Sequence, residues 1–166
     1  MQRHEDLQLE EYPDFQRREW TTQRVAWCAM LLVVLAAAVG LFGIGPLSEA
    51  TAGEEGRIVV DYERFVRFHS QTDLHVRLSG DAVSEGQATV WLSTDYLDAM
   101  QVEQVTPEPE GIEVSSDRMT FRFEADPEAS EVDVSFALLP DRIGNLAGEI
   151  GAGDGPGFGF NQFVYP

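Results

Sequence analysis

With 166 residues the chain has room for one domain plus an accessory segment. Eleven basic residues, every one an arginine, stand against 29 acids for a formal charge of −18. That sign excludes a nucleic-acid binder, which needs a basic surface to release counterions from phosphates. A lone cysteine, Cys28, excludes a disulfide scaffold, and 43% hydrophobic residues exclude a disordered chain.

The first 24 residues read as a cytoplasmic tail. Residues 25–44 (VAWCAMLLVVLAAAVGLFGI) then run without a charge. A helix of that length covers about 30 Å, the hydrocarbon thickness of a bilayer. Gly45-Pro46 ends it, so a transmembrane helix is expected over 25–45. Arg17, Arg18 and Arg24 precede the span and the next basic residue is Arg57. This asymmetry places the N-terminus in the cytoplasm and the rest outside, with Trp20 and Trp27 near the inner interface. A cleaved signal peptide is the competing reading, because Ala50-Thr51-Ala52 forms an A-x-A site. The apolar run is longer than a signal core, however, and a retained anchor is favoured. Ala29, Ala36, Gly40 and Gly43 share one helical face, where small residues let a second helix approach.

Residues 46–56, small and acidic, suit a tether to an exported domain at 57–166. There the apolar period changes from helical to alternating. Strands are expected at 57–62, 72–79, 87–93, 100–106, 111–115, around Met119–Phe123 and Val132–Leu138, and at 145–150 and 157–165, with one helical turn at 94–99. In Thr72–Ser79, for example, Leu74, Val76 and Leu78 alternate with Asp73, His75 and Arg77, the mark of a half-buried strand. The fold class is therefore all-β: an antiparallel β-sandwich of immunoglobulin-like size attached to one N-terminal transmembrane α-helix.

Beyond residue 24 the chain carries seven arginines against 23 acids. Arg57, Arg64, Arg67 and Arg77 make the section after the tether nearly neutral. They suit anionic headgroups, or else pair with neighbouring acids. His69 and His75, with Asp73, are weak metal candidates. Two histidines on exposed positions are more often simply solvated. Glu108, Glu110 and Asp154 lack the spacing of a calcium loop and are at most weak calcium ligands, and the run Gly151–Phe160 matches no phosphate-binding pattern. No catalytic constellation and no cofactor motif is present, so a non-enzyme is expected. Exposed aromatics are the better lead. If Ala88, Val90 and Leu92 face the core, Trp91 faces outward; likewise Phe158, Phe160 and Val164 share one face of the last strand and Phe163 and Tyr165 the other.

The segments FQRREW before the span, GPLS after it and the terminal QFVYP resemble a group of uncharacterised single-pass inner-membrane proteins of Proteobacteria. The resemblance implies a bacterial inner-membrane location and a membrane-embedded companion, and it implies no activity. The resulting expectation is a non-enzymatic bitopic protein that displays a periplasmic β-sandwich and serves as an accessory or docking subunit. Its expected partners are the lipid bilayer and a second integral membrane protein. The alternative is an exported metal- or small-ligand-binding module.

Overall fold

A computed structural model describes residues 13–38, 47–79, 82–84, 86–126 and 129–166, with residues 13–19 and 84 as backbone alone. Two compact units divide the chain after Ala37.

The first unit is a single helix, α1 (Pro13–Ala38). Pro13 opens it, where a fixed φ and a missing N–H suit the first helical position. From Trp20 to Ala38 it is long and apolar enough to cross a membrane. Leu31, Leu32, Val33 and Val34 are each more than half exposed, as lipid-facing side chains would be. Ahead of them the Arg24 guanidinium lies 3.7 Å from the centroid of the Trp20 ring, a cation–π contact. The end of the expected span, including Gly40 and Gly43, lies outside the described residues.

The second unit is a β-sandwich. One sheet runs in the order β1 (Glu49–Glu54), β2 (Ile58–Glu63), β4 (Thr72–Ser79), β10 (Glu131–Pro140), β7 (Met100–Thr106). The other runs β3 (Phe65–Arg67), β12 (Phe158–Tyr165), β11 (Gly144–Ala152), β6 (Gln87–Ser93), β9 (Arg118–Glu124), β8 (Gly111–Val114), with the short β5 (Val83–Ser84) also on β6. All pairings are antiparallel except β3 with β12, which is parallel. The core follows from the alternation in the sequence. Leu74, Val76 and Leu78 of β4, with Val134, Phe136 and Leu138 of β10, bury their side chains in one cluster with Val90, Leu92, Phe121 and Phe123 of the facing sheet. Phe121 and Phe136 meet edge to face between the sheets, centroids 5.1 Å apart. Each large side chain so buried contributes roughly 1.5–3 kcal/mol.

Residues 49–54, expected as part of the tether, form β1 instead. Its backbone pairs with β2 from Glu49↔Glu63 to Glu54↔Ile58, and Ala50 is buried. An edge strand is recruited by its ladder of backbone hydrogen bonds, so small and acidic side chains suffice there.

One helical turn, α2 (Thr94–Leu97), closes an end of the sandwich. It drives Tyr96 fully into the core, where the phenol donates to Gln162 Oε1 at 2.5 Å and Gln162 Nε2 donates to the Glu63 carbonyl at 2.8 Å. Phe160 meets the Tyr96 ring at 4.9 Å and the Tyr62 ring at 5.2 Å. Gly148 makes room for this cluster: a Cβ there would stand 2.6 Å from the Phe160 ring.

Candidate functional site

Trp91 corrects one expectation. Its position on β6 does point it away from the core, as the alternation requires, yet it is only 7% exposed. Gly151 is its register neighbour on β11, and the indole lies over Gly151 and Gly157 in space that no side chain occupies. Arg118 covers it from the other side, 5.4 Å from the ring centroid. Trp91 is thus part of a second, smaller packed layer and presents no surface for docking. Its Nε1 is buried and finds no hydrogen-bond partner among the described residues.

The histidines belong to separate contacts. His69 takes a left-handed backbone conformation (φ 55°), stacks on Phe68, and sets Nε2 3.4 Å from the Asp141 carboxylate. His75 lies exposed on β4, opposite Asp61 and Ser135. Among the described residues no group of three His, Cys, Asp or Glu is placed to hold a metal ion. Glu108 and Glu110 line a hollow with Glu124 and Asp126, whereas Asp154 sits in the turn between β11 and β12. Cys28 is on α1.

The four arginines singled out from the sequence divide into two pairs. Arg77 donates to Asp61 at 2.9 Å across β4 and β2. Arg57 reaches the Ala152 carbonyl and lies over Gly155. Arg64 and Arg67 are exposed and form no ion pair among the described residues, and Arg142 shares that property.

Outside α1, the exposed large apolar side chains among the described residues are Leu47, Ile112, Val114, Ile143 and Phe163. They fall on two surfaces. Ile112 and Val114, 54% and 66% exposed, stand on β8, which among the described residues pairs with β9 alone and so leaves its other edge open. Beside it a groove of about 600 Å³ is lined by Val102, Val105, Thr106, Glu108, Pro109 and Ile112, so it joins β8 to β7, the open edge of the other sheet. Glu103 and Glu108 also line this groove, Glu110 lines the neighbouring hollow, and Glu113, on the other face of β8, accepts from Arg122 at 3.4 Å.

The second surface is built on β12. Its inward side chains, Phe160, Gln162 and Val164, are buried, while Phe163 is 46% exposed and Tyr165 half-buried on the outer face. This is the division of faces that the sequence pattern requires. Register aligns Asn145, Phe163 and Phe65 in one row across three strands, then Gly144, Val164 and Val66. Tyr165 and Arg67 form the next pair, and Ile143 immediately precedes Gly144. Leu47, Arg142 and Ile143 carry no pattern in the sequence, because each stands at a turn; Ile112 and Val114 lie in an expected strand whose place at the sheet edge the sequence does not announce.

No protein-family model matches this sequence, and no curated protein does. Two solved structures overlap the sandwich distantly. A cohesin module from a Clostridium perfringens family 33 glycoside hydrolase aligns with TM-score 0.46 and 12% identity, over 66% of this chain and 96% of that one. A β-glucosidase from Listeria innocua, in complex with gluconolactone, aligns with TM-score 0.39 and 11% identity, over 74% of this chain and 17% of that one.

Proposed function

We propose that this chain is a non-enzymatic, single-pass protein of a bacterial inner membrane, with its N-terminus in the cytoplasm and its β-sandwich in the periplasm, acting as a docking subunit for another membrane protein. The orientation is supported by Arg17, Arg18 and Arg24 on one side of the apolar segment and by the absence of basic residues between Arg24 and Arg57 on the other. Retention of the anchor is supported by the position of Ala50-Thr51-Ala52. A cut after Ala52 would sever β1 in the middle of its ladder with β2.

The open edge of β8 carries the docking role. An unpaired strand edge bearing two bare aliphatic side chains is an aggregation hazard unless something covers it. A partner strand added there would complete the sheet, and Ile112 and Val114 would meet its side chains. The surrounding glutamates favour a partner segment rich in Lys or Arg.

A photo-crosslinking residue at Val114 of the full-length protein, in its native membranes, tests this reading. A defined adduct is expected, lost when Ile112→Lys is added and kept when an exposed residue several strands away, such as Asn161 of β12, is changed. An uncrosslinked monomer in every sample would end it.

A further inference from the structure

The corner where β3, β12 and the β10–β11 turn meet concentrates features that are sparse among the other described residues of the sandwich. Three of its five exposed large apolar side chains, Leu47, Ile143 and Phe163, are here. So are Arg64, Arg67 and Arg142, which form no ion pair among the described residues. Every other arginine of the sandwich is engaged: Arg57 on a carbonyl, Arg77 and Arg122 on carboxylates, Arg118 on the Trp91 ring. In a segment with seven arginines against 23 acids, three free cations at one corner are the exception. Arg64 shares a hollow with Glu49, Asp61, Glu63 and Asp73, but the Asp61 carboxylate accepts from Arg77 and that of Glu63 from Thr72, and Asp141, next to Arg142, is turned to His69.

The same corner is where the polypeptide joins the sandwich. Ser48 is fully buried there: its carbonyl accepts from Arg64 N at 2.6 Å and its hydroxyl contacts the backbone of Phe65. Leu47 is therefore clamped beside Arg64 and Phe65. Only residues 39–46 separate it from Ala38, the last described residue of α1. Eight residues extend to about 30 Å at most.

We propose that this corner rests on the bilayer that holds α1, with Arg64, Arg67 and Arg142 on the phosphates of anionic lipids and Leu47, Phe163 and Ile143 at the headgroup–acyl boundary. The chemistry matches on both counts. Guanidinium groups bind phosphate in forked geometry, and aromatic and aliphatic side chains insert beneath the headgroups. The acids that dominate the rest of the surface would be repelled by the same lipids, so the three unpaired arginines favour this corner. Phe65 and Tyr165, half-buried in the same rows, stiffen the platform that carries Phe163. The proposal rests on α1 being the membrane anchor and is independent of the β8 edge.

The test uses the full-length chain in vesicles of phosphatidylethanolamine and phosphatidylglycerol. A nitroxide is placed at Asn145→Cys, next to Phe163, or at Ser115→Cys beyond β8, each with Cys28→Ser; a third sample carries it on the native Cys28. Collision rates with lipid-soluble oxygen and with a water-soluble nickel chelate report depth. At Asn145→Cys the oxygen-to-nickel ratio is expected to exceed that at Ser115→Cys several-fold. It should fall to the Ser115→Cys level in phosphatidylcholine alone, and when Arg64→Gln, Arg67→Gln and Arg142→Gln are combined. A lipid-buried Cys28 label with an Asn145→Cys label as wet as Ser115→Cys overturns the headgroup contact and leaves the anchor standing. A wet Cys28 label overturns both. Dipolar broadening between Asn145→Cys labels would mean that a second copy occupies the corner, and overturns the lipid assignment.

Discussion

Tyr96 and Gln162 form a buried polar pair against the apolar core, and the pair is closed because Gln162 passes the connection on to the Glu63 carbonyl. Removing the phenol by Tyr96→Phe leaves Gln162 Oε1 buried without its donor, a loss of about 1–3 kcal/mol. Burial also pushes the Tyr96 phenol above the ordinary tyrosine range. An acid held neutral in the fold after it ionises in the unfolded chain stabilises fully below its unfolded value. Above about pH 10, stability should fall by up to about 1.4 kcal/mol per pH unit. Urea midpoints of the full chain in detergent at about pH 8 and pH 11 are expected to differ by more for the native protein than for Tyr96→Phe. Trp91 offers a second residue-level test. A Cβ at Gly151 would stand 2.5 Å from its ring, so Gly151→Ala must expel the indole, at a cost of about 1–3 kcal/mol. With Trp20 and Trp27 changed to Phe, that substitution should shift the remaining tryptophan emission to the red. Trp91 also shows the limit of reading one strand by parity. Alternation gives the side of the sheet correctly, but the cover comes from Gly151 and Gly157, some sixty residues away, and nothing in the sequence near Trp91 announces it.

Strands that carry their own alternation were legible in the sequence. β4, β6 and β7 begin and end where the pattern of apolar residues and the turn residues around them require. β1, β3 and β5 were not, and the reasons are physical. β1 is made of small and acidic residues, β3 has three residues and β5 two, so their pairing is set by backbone hydrogen bonds to partners distant in the chain. Of the site residues, Phe163 and Tyr165 could be placed on the outer face by spacing alone. Arg142, Ile143 and Leu47 could not, because only the register of β3, β12 and β11 brings three separate segments to one corner. The pairing of β1 has a consequence that can be measured. Whole-protein mass spectrometry of the chain isolated from membranes should find Ala52 still joined to Gly53, and a protein beginning at Gly53 would refute the retained anchor.

For the molecule as a whole, sidedness and charge are the properties to test. If the N-terminus is cytoplasmic, protease added to spheroplasts should digest the sandwich and leave an epitope placed before Pro13 protected; digestion of that epitope would reverse the orientation. The two proposed surfaces differ in their response to salt. Headgroup attraction acts over a screening distance of about 10 Å at 0.1 M salt and about 3 Å at 1 M. High salt should therefore release the β12 corner from the bilayer more readily than a strand added at β8, which backbone hydrogen bonds hold in addition to its charges.

The parallel pairing of β3 with β12 also sets an order of events in time. Residues 65–67 cannot acquire their ladder until residues 163–165 have been made and delivered, almost a hundred positions later. Local hairpins such as β1–β2 and β11–β12 need no such wait, and long loops close slowly. During synthesis, then, the first of these short strands to be made is among the last to find its place. The face proposed to meet the lipid is not a feature the nascent chain possesses; it comes into being when the fold is finished.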